Sequence, residues 1–86
     1  MGRESPSLVV LAFIMMNVKV GTDRDTVNKL RMLKGVKEVD EVYAVYDIVA
    51  IVETETMAEL NELVNSEIRK IDTITSTNTI IAEKFS

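Results

Sequence analysis

The sequence predicts an α+β domain: a four-stranded antiparallel sheet with two helices on one of its faces. Three observations lead there. Apolar residues change period along the chain in the order β-α-β-β-α-β. Helix start and stop signals, Thr22 and Gly35 for the first helix and Thr56 for the second, fall where that order needs them. The two strands expected at the centre are apolar on both sides.

Residues 8–20 form the first strand, rich in Leu, Val, Phe, Ile and Met and ended by Gly21. Thr22 has the place of an N-cap, with Asp25 three residues on in capping-box position. Val27, Leu30 and Leu33 then share one helical face, and Gly35 is a natural stop, so the first helix spans Asp23 to Lys34. Val39 to Val45 alternates as a second strand, and Ile48 to Glu53 is a β-branched third. Only Tyr46 and Asp47 separate these two strands, which predicts a tight antiparallel hairpin. Thr56 and Glu59 make a second capping box. Met57, Leu60, Val64, Ile68 and Ile71 follow on one helical stripe. Ile74 to Ala82, rich in Thr and Ile, is the fourth strand.

This order is the ferredoxin-like, split-βαβ pattern. Right-handed crossovers put the first and third strands in the middle, with both helices on one face. The other face should then meet water and alternate with polar residues. It does not. Val9, Leu11, Phe13 and Met15 oppose Leu8, Val10, Ala12, Ile14 and Met16 in the first strand. Val49 and Ile51 oppose Ile48, Ala50 and Val52 in the third. An exposed face of that kind exceeds the few hundred Å² usual for monomers. The expectation is a homodimer packed sheet to sheet, with an interface of ~2,000 Å² or more.

Composition narrows the function. The 86 residues make one domain, expected over residues 8–86 behind an N-terminal tail of residues 1–7. No cysteine is present for disulfides or thiolate chemistry, and no histidine for general base or metal ligation. A Ser or Thr nucleophile would need a lysine base, and Lys19 and Lys84 have no evident partner. With 14 acidic and 10 basic residues the net charge is -4, against direct nucleic-acid binding. The apolar run Leu8 to Met16 is too short to cross a membrane. The flanks do not read as a signal peptide, and a cytoplasmic location is expected. Adjacent Asp40 and Glu41 point to opposite strand faces and read as solvated charges rather than a carboxylate pair. Glu38, Asp40 and Glu41 make at most a weak oxygen-ligand site, and neither a metal nor a cofactor is expected.

Two stretches carry candidate ligand chemistry. Tyr46-Asp47 has two readings: ordinary turn chemistry, in which Asp accepts backbone hydrogen bonds, or an anionic anchor for a ligand ammonium at the rim of an apolar interface. Ser76-Thr77-Asn78-Thr79 also has two. Thr favours edge strands, and a row of hydroxyls can hold a carboxylate or amide. Thr75, Thr77 and Thr79 share one face of the strand, Ser76 and Asn78 the other.

Ala12 to Gly21, Leu33 to Val39, Val42 to Val49, Leu60 to Leu63, and Ile68 to Ile71 leading to Ser76-Thr77-Asn78-Thr79 are the stretches that carry a family likeness. Together they resemble the effector-binding, oligomerising RAM domain of the Lrp/AsnC (feast/famine) transcriptional regulators. The Gly-x-Tyr-Asp hairpin of the family reads Ala44-Val45-Tyr46-Asp47 here, with alanine in place of the glycine. Glycine lets a ligand approach the backbone more closely than alanine does. The family's regulators carry a helix-turn-helix domain ahead of this one, for which seven residues leave no room, so the resemblance is to stand-alone members. It implies sheet-packed dimers that assemble into rings such as octamers or decamers. A free amino acid or similar small effector would bind between dimers. By motif position the ligand set is Ala44, Tyr46, Asp47, Ser76, Thr77 and Thr79. The implied function is non-enzymatic effector sensing in transcription regulation, through assembly with full-length DNA-binding relatives. A purely structural partner without ligand is the alternative. An enzyme of the dimeric α+β barrel type shares the topology, but such sites usually lean on His, Trp or Asn, and this chain has neither His nor Trp.

Overall fold

The computed structural model describes residues 8–85; the tail expected over residues 1–7 lies outside the described residues. The elements are β1 (Leu8–Val18), α1 (Asp23–Arg31), β2 (Val36–Glu41), β3 (Ile48–Thr54), α2 (Met57–Leu63) continued by a π-helical turn (Val64–Ile68), and β4 (Ile74–Phe85). The strands lie in the order β2-β3-β1-β4, all neighbours antiparallel. This is the expected ferredoxin-like arrangement with β1 and β3 central.

One face of the sheet is the core. Val10, Ala12, Ile14, Met16 and Val18 of β1 and Ile48, Ala50 and Val52 of β3 are buried there, together with Val27 and Leu30 of α1 and Leu60, Leu63 and Ile68 of the α2 segment. Burying a side chain such as Ile14 or Leu60 is worth about 1.5–3 kcal/mol against leaving it exposed. Thr26 is the buried polar residue of this core. Its hydroxyl donates to Thr22 O at 2.8 Å or shares a hydrogen with Thr73 Oγ1 at 2.6 Å, so the buried group is satisfied. On the other face Leu11, Phe13, Met15, Val49 and Ile51 are each only partly covered. Among the described residues no helix crosses them, and they form the apolar open face that the strand pattern anticipates.

Several boundaries differ from the sequence expectation, each for a physical reason. The second strand begins earlier and ends earlier, at Val36–Glu41 rather than Val39 to Val45. It carries a register shift between Val36 and Glu38, a bulge that bends this charged edge. The link to β3 is therefore not the two residues Tyr46 and Asp47 but the loop Val42–Asp47, closed by Val42 N donating to Asp47 O at 2.9 Å. Tyr43 and Val45, whose alternation suggested a strand, stand 98% and 82% exposed. The first helix stops at Arg31, and Gly35 (φ 94°) makes the turn into β2. Thr22 sits at the N-cap without capping: its hydroxyl donates to Lys19 O instead of accepting a helix N–H. At the second helix the capping side chains do engage. Thr56 Oγ1 accepts from Glu59 N at 3.1 Å, and Glu59 Oε1 accepts from Glu55 N at 2.9 Å, one residue before the cap. The second helix is not uniform to its end. Arg69 N reaches back five residues to Val64 O, the π-helical pattern. Met57, expected on the buried stripe, is 43% exposed in the first turn.

Candidate functional site

The loop Val42–Asp47 comes to rest against the C-terminal end of β1. Asp47 is the fastener. Its backbone N–H donates to Met16 O at 2.9 Å, and its Oδ2 accepts the backbone N–H of Val18, also at 2.9 Å. The carboxylate thus continues the β1–β3 ladder one step past the last backbone pair, Met16 with Ile48. The turn-chemistry reading of Asp47 is therefore present in the fold. Both hydrogen bonds to the carboxylate fall on Oδ2, including a long one of 3.5 Å from Asn17 Nδ2, and among the described residues none falls on Oδ1. The same carboxylate can hold the backbone with one oxygen and present the other.

Asn17 joins three segments. Its Nδ2 donates to Val45 O at 2.9 Å, and its Oδ1 accepts from Ser76 Oγ at 2.9 Å. It stands where the pairing of β1 with β4 shifts register, between Asn17 and Val18, so that Thr75 is an extra residue on the β4 side. Two residues further along β4, Asn78 Nδ2 donates to the phenolic oxygen of Tyr46 at 2.9 Å. The Tyr46 side chain therefore reaches from the loop past β1 to β4, on the open face where Asn78 is paired with Met15.

Of the six residues expected to bind ligand, the fold brings Tyr46, Asp47 and Ser76 into one polar cluster at the end of the apolar face. Ala44 lies exposed on the same loop. Thr77 and Thr79 are not brought there. They pair with Met16 and Ile14, whose side chains lie on the helix side, and so they line that side of the edge strand, half-buried. Asn17 and Asn78 belong to the cluster and were not among the expected residues. Asn78 was visible as the face-mate of Ser76, whereas nothing local in the sequence marks Asn17.

The cluster offers an anionic acceptor, hydroxyls and carboxamides beside Phe13, Met15 and other apolar side chains. That set suits a small zwitterion with an apolar body. It holds neither a nucleophile with a base nor a ring of hard ligands. Glu38, Asp40 and Glu41 do not converge, and among the described residues no three metal-ligating side chains gather. The side chain of Lys84 lies outside the described residues, and Lys19 is exposed. An open groove at the opposite end of the sheet, lined by Lys34, Lys37, Glu53, Glu59, Glu62 and Glu67 among others, shares no residue with this cluster.

The model of the Lrp/AsnC ligand-binding domain matches residues 11–84. The chain belongs to the Lrp/AsnC ligand-binding domain family. Solved structures agree. The protein PHS023 of Pyrococcus horikoshii is similar at 40% identity and a TM-score of 0.82, over 85% of this chain and 88% of its own. FFRP-DM1 is similar at 40% identity and a TM-score of 0.82, over 85% of this chain and 97% of its own. AsnC of E. coli matches at 28% identity and a TM-score of 0.81, and there the chain spans 50% of the longer protein. A comparison with curated protein sequences finds no match. The family regulates transcription, and its RAM domains are non-catalytic, typically oligomerise and bind small effectors. Among the described residues no helix is long and apolar enough to cross a membrane.

Proposed function

We propose that this Lrp/AsnC domain is a non-enzymatic sensor of a free amino acid, acting in transcription regulation through its own assembly and through assembly with DNA-binding relatives. One observation carries the reading: the Asp47 carboxylate is anchored through Oδ2 to Val18 N–H at 2.9 Å, which leaves Oδ1 for a ligand. A bound ammonium would sit on Oδ1. Ser76 and Asn78 would meet the ligand's other polar groups, Tyr46 would wall the pocket, and Ala44 would set how closely the loop approaches. Thr77 and Thr79, on the far side of the edge strand, would contribute from a neighbouring dimer. The protein itself would be a dimer, with the open faces of two copies covering Leu11, Phe13, Met15, Val49 and Ile51. The exposed loop residues Tyr43 and Val45 would then join dimers into a ring such as an octamer or decamer. The effector would act by binding one assembly state better than the other, since only differential affinity moves such an equilibrium.

Calorimetry with each standard amino acid at millimolar concentration is the test. The reading expects heat from at least one, and loss of that heat in Asp47→Asn, which keeps an acceptor for Val18 N–H but removes the charge. Silence from every amino acid would sink it. A second reading, a ligand-free structural partner, draws support from the hydrogen bonds that already occupy Asp47 and from Ala44 in place of the family's glycine. Co-assembly with a DNA-binding relative, unaltered by any amino acid and by Asp47→Asn, would decide for it.

A further inference from the structure

We propose that Asn17 is a positioning residue that sets the Val42–Asp47 loop for contact between dimers. The inference rests on the assembly reading above and adds the device that controls it. The loop presents Tyr43 and Val45 almost fully to solvent, 98% and 82% exposed. Its ends are closed by Val42 N to Asp47 O, and its interior is held by side chains at two points. One is Tyr46, whose hydroxyl meets Asn78. The other is the Asn17 carboxamide, which donates to Val45 O at 2.9 Å and so fixes the backbone of an exposed apolar residue.

The Asn17 contact is built from the sheet outward. Met16 O and Val18 N, the backbone groups on either side of Asn17, both bond Asp47. The Asn17 side chain is thereby aimed between the loop and β4, where Ser76 Oγ holds its carbonyl and so orients the amide toward Val45. The same amide lies 3.5 Å from Asp47 Oδ2. A charge arriving on Asp47 and a displacement of the loop therefore meet at one carboxamide. Fixing the loop before assembly removes the ordering cost that a free loop imposes on the contact it makes.

Asn17→Ala and Asn17→Asp separate this role from general stability. Asp keeps an acceptor for Ser76 but loses the donor to Val45 O and sets a second charge beside Asp47. The measurement is sedimentation velocity over a concentration series without added ligand, with thermal melts alongside. The expected result for both variants is an unchanged dimer and a melting midpoint lowered by less than in Asp47→Ala. The concentration needed for larger assemblies should rise by roughly fivefold or more, the factor for one lost hydrogen bond, and more for Asp than for Ala. Wild-type-like assembly in either variant, or loss of assembly only in step with loss of the dimer and of thermal stability, would overturn the inference. A wild type that stays dimeric at every concentration refutes the assembly reading and this inference with it. Rings that are indifferent to Asn17 refute the inference alone.

Discussion

Asp47 carries two separable jobs, and two substitutions pull them apart. Asp47→Ala removes the acceptor of Val18 N–H, a charge-assisted bond of 2.9 Å in a part-buried setting. Hydrogen bonds to charged groups contribute about 1.5–3 kcal/mol, and the partial exposure argues for the lower part of that range. The expected loss is about 2 kcal/mol. For a domain of this size that lowers the melting midpoint by roughly 8–16 °C. Asp47→Asn retains an acceptor oxygen at the same distance, and its loss should stay below about 1 kcal/mol. The assay is urea denaturation of the three proteins at one fixed protein concentration, because an oligomer's apparent stability depends on concentration. The reasoning is refuted if Asp47→Ala matches the wild type, or if Asp47→Asn falls as far as Asp47→Ala.

Other parts of the structure give sharper or simpler expectations. Phe13→Asp puts a charge in the middle of the open apolar face, and gel filtration should show the dimer peak lost. Gly35→Ala forces a side chain onto a backbone at φ 94°, and although the nearest neighbour, Glu53 O, would lie at an acceptable 3.5 Å, the left-handed conformation alone should cost about 1–2 kcal/mol by chemical denaturation. Thr56→Ala removes the acceptor of Glu59 N and should cost about 1 kcal/mol in the same assay, whereas Thr22→Ala, whose hydroxyl caps nothing, should lose less.

The architecture was legible because long apolar runs with a clear period dominate this chain. β1 and β3 read as strands from their β-branched content, and their two-sided apolarity pointed to the open face. The errors arose where local pattern and tertiary placement part company. Val42 to Val45 alternates like a strand, yet the β2–β3 pairing ends at Glu41 with Ile48 and is closed by Val42 N–H to Asp47 O, so Tyr43 and Val45 fall in the connecting loop. The stripe Leu60, Val64, Ile68 and Ile71 is equally compatible with a regular helix and with one carrying a π turn. The hydrogen bond from Arg69 N–H back to Val64 O distinguishes them. At the candidate site, Tyr46-Asp47 stood out as a polar break between apolar runs. Asn17 did not, since its partners Val45, Asp47 and Ser76 lie 28, 30 and 59 residues away and meet it only through the register shift between β1 and β4. The separation of Thr77 and Thr79 from Ser76 follows from strand alternation. Which of the two sets faces Asp47 depended on the register, which the sequence does not print.

The whole account stands on the open sheet face being covered by a second copy of the chain. Sedimentation equilibrium at micromolar concentration addresses that directly. The account predicts a particle of twice 9.6 kDa that does not dissociate before it unfolds. A folded particle of 9.6 kDa under those conditions would contradict it.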